Sequence, residues 1–269
     1  MSTARRLKCH VPPEVIFEKK WQIAVDLLDR SLPGLPHGWI TGDDEIGRVS
    51  KLRTILNRRS ERYILDVPCN TTLRDLERRR PRRRQAGRGR KREVPWQRAD
   101  AWAKSQPDSR WTRLTVRGGE KGPLEVDAMT VRVRAKQDRK IGSEERLVVI
   151  RPVGETKIDY AITNAGPEIP LIELVRVQRE RHRIEELFQA GNGEAGLDHY
   201  EVRSWVGWHH HMTLALVALW FLCLERRRAG GENPSDHSLA DAPSVHDAAP
   251  STGTDCSRNR RLGHTSSVA

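Results

Sequence analysis

Apolar residues recur along this chain with two different periods, and the change of period marks out its elements. In residues 12–32, Trp21, Val25 and Leu28 stand a helical turn apart behind two prolines suited to a helix entry, so a helix is expected there. The run LPGLPHG breaks it. Trp39, Ile40 and Thr41 then form a short β-prone run closed by Gly42, Asp43, Asp44 and Glu45, which places the acids where a strand meets its following loop. Carboxylates at the C-terminal end of a strand are well placed for a site. Leu52, Ile55 and Leu56 predict a helix over residues 49–59, and Tyr63 opens a second strand that Pro68 stops. Helix, strand, helix, strand is the signature of an α/β fold.

Through residues 111–164 the period becomes two. RWTRLTVR, LEVDAMTVRVRA, RLVVIRP and KIDYAITN are separated by Gly, Pro and charged turns, which predicts an antiparallel β insertion of four strands. Pro167 and Pro170 lead into a helix with Leu174, Val177, Ile184 and Phe188 on one face and Glu185 and Glu186 at its border. Gly191 and Gly193 allow that helix to end. A carboxylate held against a core suits metal chemistry; the alternative is a solvated Glu pair on a wet face. A last helix is expected over residues 202–227, with Val202, Trp205, Met212, Leu216, Leu219 and Cys223 on one stripe. Its apolar part, residues 212–224, is too short to span a bilayer and reads as buried. His209, His210 and His211 point in different directions on a helix, so structural or phosphate-facing roles suit them better than a metal cage.

Composition adds the partner. The 269 residues are 36 % apolar and 31 % charged, and 48 Lys and Arg against 36 Asp and Glu give a net charge of +12 and a pI near 10.1. Such a balance points to a polyanion, nucleic acid first and a membrane surface second. Residues 78–92 hold nine Arg and one Lys without an acid. Like charges repel and nothing apolar is available to bury, so a mobile arm is expected, with Arg78, Arg79, Arg80, Arg82, Arg83, Arg84, Arg88 and Arg90 as candidate phosphate contacts. A solvated linker is the alternative. The run has no aromatic residue for stacking on bases; Trp96, Trp102 and Trp111 follow it and suit either stacking or a core. Cys9, Cys69, Cys223 and Cys256 are scattered, with no CxxC pair and no apolar leader, which argues for a reducing cytosol and against a zinc site or disulfide framework. The expected organisation is residues 1–76 as an α/β core, 77–110 as a basic arm, 111–165 as the β insertion, 166–228 as the acidic and last helices, and 229–269 as a disordered tail.

Together VPPEVIFEKKWQIA, GWITGDDEIGR, RYILDVPCNT and RHRIEELF followed by GEAGLDHYEVRSW resemble the DDE transposases of bacterial insertion sequences, over residues 11–228. The resemblance implies an RNase H-like core. It implies that Asp43, four residues before Gly47, is the second catalytic Asp, with Asp44 as its neighbour, and that Glu185, between Ile184 and Phe188, is the catalytic Glu. In such enzymes two Mg²⁺ or Mn²⁺ ions, held by hard carboxylate oxygens, activate the attacking oxygen and stabilise the leaving one in a displacement at phosphorus.

This sequence departs from the pattern. An earlier Asp on the first core strand has no counterpart, since the acids before Asp43 are Glu14, Glu18, Asp26 and Asp29, all in a segment read as helix. The resemblance therefore implies a chain that begins inside the family's core, without its first three strands, and an incomplete metal site at Asp43 and Glu185. Of the family's Tyr-Arg-Glu-Lys signature, Arg181 keeps the Arg, one helical turn before Glu185, where it would position a phosphate or the carboxylate. Gln178 and Asn192 replace the Tyr and the Lys. The implied function is a transposase that binds double-stranded DNA at its element's ends and target and is impaired in cleavage and strand transfer; the alternative is a non-catalytic DNA-binding remnant. A homodimer, no membrane, and a bacterial cytoplasmic location at the nucleoid complete the expectation.

Overall fold

A computed structural model describes residues 3–31, 34–78, 93–117, 123–137 and 140–229. Arg79, Arg80, Arg82, Arg83, Arg84, Arg88 and Arg90 of the arginine run, and the tail beyond residue 229, lie outside the described residues. The order of elements is α1 (Thr3–Lys8), α2 (Lys20–Ser31), β1 (Ile40–Gly42), α3 (Asp44–Gly47), α4 (Ser50–Arg58), β2 (Tyr63–Asp66), β3 (Thr72–Asp75), β4 (Gln97–Arg98), α5 (Ala99–Lys104), β5 (Thr112–Arg117), β6 (Leu124–Gln137), β7 (Lys140–Pro152), β8 (Asp159–Thr163), α6 (Leu171–Glu180), α7 (His182–Ala195) and α8 (Trp205–Arg228).

The fold is mixed α/β, built on one eight-stranded sheet in the order β1-β2-β8-β7-β6-β3-β4, with β5 paired to β6 off that path. β1 and β2 run parallel. Every other pairing is antiparallel. The alternating segment of residues 111–164 therefore joins the sheet of the N-terminal strands directly, because β8 takes the place beside β2 with Leu65 opposite Ile162.

Alternation along β6 sorts its side chains onto two cores. Met129, Val131, Val133 and Ala135 face Leu52 and Leu56 of α4 and Trp102 of α5. Val126 and Ala128 face Leu174, Val175 and Val177 of α6. Helices on both sides thus make the middle strands apolar on both faces. Trp21, Val25 and Leu28 of α2 pack against the first core as their spacing predicts. The buried Trp102 donates its Nε1–H to Asp75 Oδ2 at 2.9 Å, a core role. Trp96 and Trp111 have one ring face covered by Arg74 and Arg151 respectively.

Three expectations need correction. The acidic helix is two helices meeting at Arg181, and its apolar stripe divides there. Leu174 and Val177 are buried on the sheet, whereas Ile184 and Phe188 are exposed. Second, α7 runs through Gly191 and Gly193 and ends at Gly196, whose φ of +62° supplies the left-handed cap. Gly191 serves packing instead, since a Cβ there would lie 3.3 Å from Leu197 and 3.4 Å from Leu219 of α8.

Third, α8 is not a buried helix. Only Ala215 and Leu219 are buried, while Leu214 and Trp220 are 69 % and 65 % exposed. Its apolar residues surround the whole cylinder, so packing one side on α7 leaves the others uncovered. At 24 residues it is, by length and composition, long and apolar enough to cross a membrane. Within it, His209 lies between the rings of Trp205 and Trp208, and His211 bonds the Gly196 carbonyl at 3.0 Å. Cys9 and Cys223 are free thiols.

Candidate active site

The parallel strands β1 and β2 both end in an acid. Asp43 follows β1 and caps α3, its Oδ1 accepting the Ile46 N–H at 3.0 Å. Asp66 is the last residue of β2. Gly47 allows the two strand ends to come together, because a Cβ at that position would sit 1.9 Å from the Asp66 carbonyl oxygen. No larger residue fits there without moving α3 off β2.

From the opposite side, the α6–α7 junction brings Gln178, Arg181 and Glu185 to the same place. Gln178 Nε2 donates to Asp66 Oδ1 at 2.9 Å. Arg181 Nε lies 3.0 Å from Asp66 Oδ2. Arg181 Nη1 also donates to Glu185 Oε1 at 2.7 Å, and His182 Nδ1 is 2.8 Å from Glu185 Oε2. Both oxygens of Glu185 are therefore engaged. A second basic residue, Arg179, holds Asp159 at the start of β8 at 3.0 Å.

The charges reflect this crowding. Burial opposes the charge on Arg181, yet the carboxylates of Asp66, Glu185 and Asp43 raise its pKa above the ordinary arginine value. At Asp66 burial dominates and pushes the carboxyl up, against the downward pull of Gln178 and Arg181. Glu185 is half-exposed; although what burial it has works upward, the bond and charge of Arg181, then of His182, hold it below its usual range. Three acids thus converge electrostatically on one guanidinium.

Of the residues expected from sequence, Arg181 and Glu185 are in contact, whereas Asp43 reaches Arg181 only through its charge. Arg78 does not join them in the described contacts: its backbone N–H bonds Asp75 Oδ1 and its side chain is exposed. Asp66 was missed by sequence reasoning. The available signal was the acid closing YILD, which ends a second strand as Asp43 follows the first.

The family model of the DDE superfamily endonuclease matches residues 1–123, a stretch that contains Asp43 and Asp66 and stops short of Arg181 and Glu185. No curated protein matches this sequence. The family match supports a DDE-type, transposase-like nuclease, and the mixed α/β fold with its mostly antiparallel sheet is compatible with an RNase H-like nuclease of that kind. Such a family implies a DNA substrate, and its members generally use divalent metal ions. The acids found here do not fit such an ion as arranged. Among the described residues no three His, Cys, Asp or Glu side chains gather in a way that could hold a metal. The Arg181 guanidinium stands among the acids instead, bonded to Glu185 and paired with Asp66.

Proposed function

We infer that this chain is a transposase-type protein of a bacterial insertion sequence that binds double-stranded DNA and is impaired in phosphodiester cleavage and strand transfer. The family match supports the class. The observation that carries the impairment is the Arg181 guanidinium fixed between Asp66 and Glu185. Carboxylates that would hold Mg²⁺ or Mn²⁺ are turned to an internal cation, and an ion at Asp43 and Glu185 would require Arg181 to move aside. In this reading the net charge of +12 serves a polyanionic partner. Arg78 and the arginines that follow it contact backbone phosphates, the protein works at the nucleoid in the bacterial cytoplasm, and a second copy covers part of the exposed face of α8.

The test pairs binding with cleavage. The protein is mixed with a labelled duplex and with supercoiled plasmid carrying the DNA that flanks its gene, with Mg²⁺ or Mn²⁺ present. Retention of the duplex with a steep salt dependence, and no nicking, is the expected result. Nicking that disappears in Glu185→Ala would refute the impairment and favour an active transposase. Absence of duplex retention even at low salt would remove the whole reading.

A further inference from the structure

A hollow of about 300 Å³ is lined by Arg48, Arg53, Thr71, Thr72 and Lys136. These residues come from separate parts of the chain: the C-cap of α3, the middle of α4, the entry of β3 and the far end of β6. All five side chains carry hydrogen-bond donors, and three carry positive charge. None of the lining residues is an acid.

The cations are held in different ways. Arg53 is fixed from behind, its Nε donating to Glu145 Oε1 at 2.8 Å and its Nη1 to the Gly47 carbonyl, with the side chain 3 % exposed. Its Nη2 takes no hydrogen bond among the described contacts. Arg48 is tied to Asp44, Nη2 to Oδ2 at 2.9 Å. Lys136 has no ion pair or hydrogen bond among the described residues, nor has either threonine hydroxyl. Lys136 is exposed, and beside it the register of β6 against β7 shifts, two residues of β6 facing three of β7. Two carboxylates, Asp44 and Glu145, answer three cations, so the hollow keeps an excess of positive charge beside unused hydroxyl donors.

We propose that this hollow is a phosphate-binding site. The remaining terminal nitrogen of each fixed guanidinium, Arg53 Nη2 and Arg48 Nη1, can donate to an oxygen of a tetrahedral oxyanion, and the unpaired ammonium of Lys136 supplies the charge that such an anion neutralises. The volume stands at the small end of ligand pockets, enough for a phosphate with part of a sugar. The phosphate belongs either to a DNA backbone, which rests on the DNA-binding reading above, or to free phosphate or a nucleotide, which does not.

Two measurements on the full chain separate these cases. The first compares Tm in potassium phosphate and in potassium chloride at equal ionic strength and pH; the second follows duplex DNA affinity against salt by fluorescence anisotropy. Lys136→Met and Thr72→Val are the test variants. Lys104→Met, which removes an exposed charge at the end of α5, is the control. The wild type and the control should gain Tm in phosphate, the gain vanishing in Lys136→Met and shrinking in Thr72→Val. If DNA supplies the phosphate, Lys136→Met also lowers the slope of log affinity against log salt by about 1, and the control does not. A phosphate gain with an unchanged DNA slope supports the site and assigns it to free phosphate. A phosphate gain in a protein that binds no DNA leaves the site standing while the proposed function fails. No phosphate-specific gain in the wild type, or an equal gain in correctly folded Lys136→Met as judged by circular dichroism, overturns the proposal.

Discussion

Truncating Arg181 to alanine is the perturbation that asks most of the site as described. The guanidinium lies 3.0 Å from Asp66, with side chains 26 % and 15 % exposed, and 2.7 Å from Glu185, which is 50 % exposed. At an effective dielectric near 20, Coulomb's law gives about 5–6 kcal/mol of gross attraction at 3.0 Å for the less exposed of the two contacts, the one to Asp66. Desolvation and residual solvent screening leave about 1–2 kcal/mol of that as net stability. The Glu185 pair is an exposed contact four residues apart on one helix, and contributes only about 0.3–0.5 kcal/mol. Arg181→Ala should therefore lower the unfolding free energy by about 2 kcal/mol, most of it through Asp66. Urea unfolding followed by tryptophan fluorescence measures this, with double-mutant cycles pairing Arg181→Ala with Asp66→Asn and with Glu185→Gln. The Asp66 cycle should show a coupling above about 1 kcal/mol and the Glu185 cycle one below about 0.5 kcal/mol. A larger coupling to Glu185 than to Asp66, or an Arg181→Ala variant as stable as the wild type, would refute the account of the cluster.

The same cluster has a pH signature. Because burial raises the Asp66 pKa in the folded chain, the fold binds its proton more tightly than the unfolded chain does, and this favours the fold at low pH. That contribution is lost as pH rises from the ordinary carboxylate value of 3.8 through the raised folded value, so stability falls across this window and Asp66→Asn should flatten the fall; identical pH profiles for the two proteins would contradict it. A second expectation concerns Arg53, which with Tyr63 bonds the fully buried Glu145 at 2.8 and 2.6 Å while Glu145 Oε2 has no hydrogen-bond partner among the described residues. Arg53→Met should cost about 3–5 kcal/mol in urea unfolding, and adding Glu145→Met should restore much of it; a single-variant loss under about 1 kcal/mol would show the pair is not closed to solvent. Finally, Gly47→Ala forces a Cβ against the Asp66 carbonyl at 1.9 Å and should lose about 3 kcal/mol or more, measured the same way, whereas Gly193→Ala, with open space at its Cβ, should lose little.

Periodicity made much of the scaffold legible before any coordinates. The helix over residues 49–59, the strand begun by Tyr63 and the alternating strands of residues 111–164 form where their patterns put them, because each buries the face its spacing defines. Asp43, Arg181 and Glu185 could be singled out by their motifs. The pattern did not reveal that the stripe from Leu174 to Phe188 breaks at Arg181, since period alone does not say where a helix leaves the sheet it packs on. Nor did it reveal how little of α8 is covered, since apolar residues look the same in sequence whether or not a neighbour exists to bury them.

The sequence by itself determined the classes of element, the strand-end position of Asp43 and the basic character that suits a polyanion, all of which depend on local spacing and composition. Tertiary structure decided what those residues face. It set Asp66 beside Arg181 across 115 positions by packing α6 against β2, and it gathered Arg48, Arg53, Thr71, Thr72 and Lys136 around one hollow. The physical reason is the same in both places: charge interactions depend on distance through space, and only the pairing of strands and the packing of helices upon them fixes that distance.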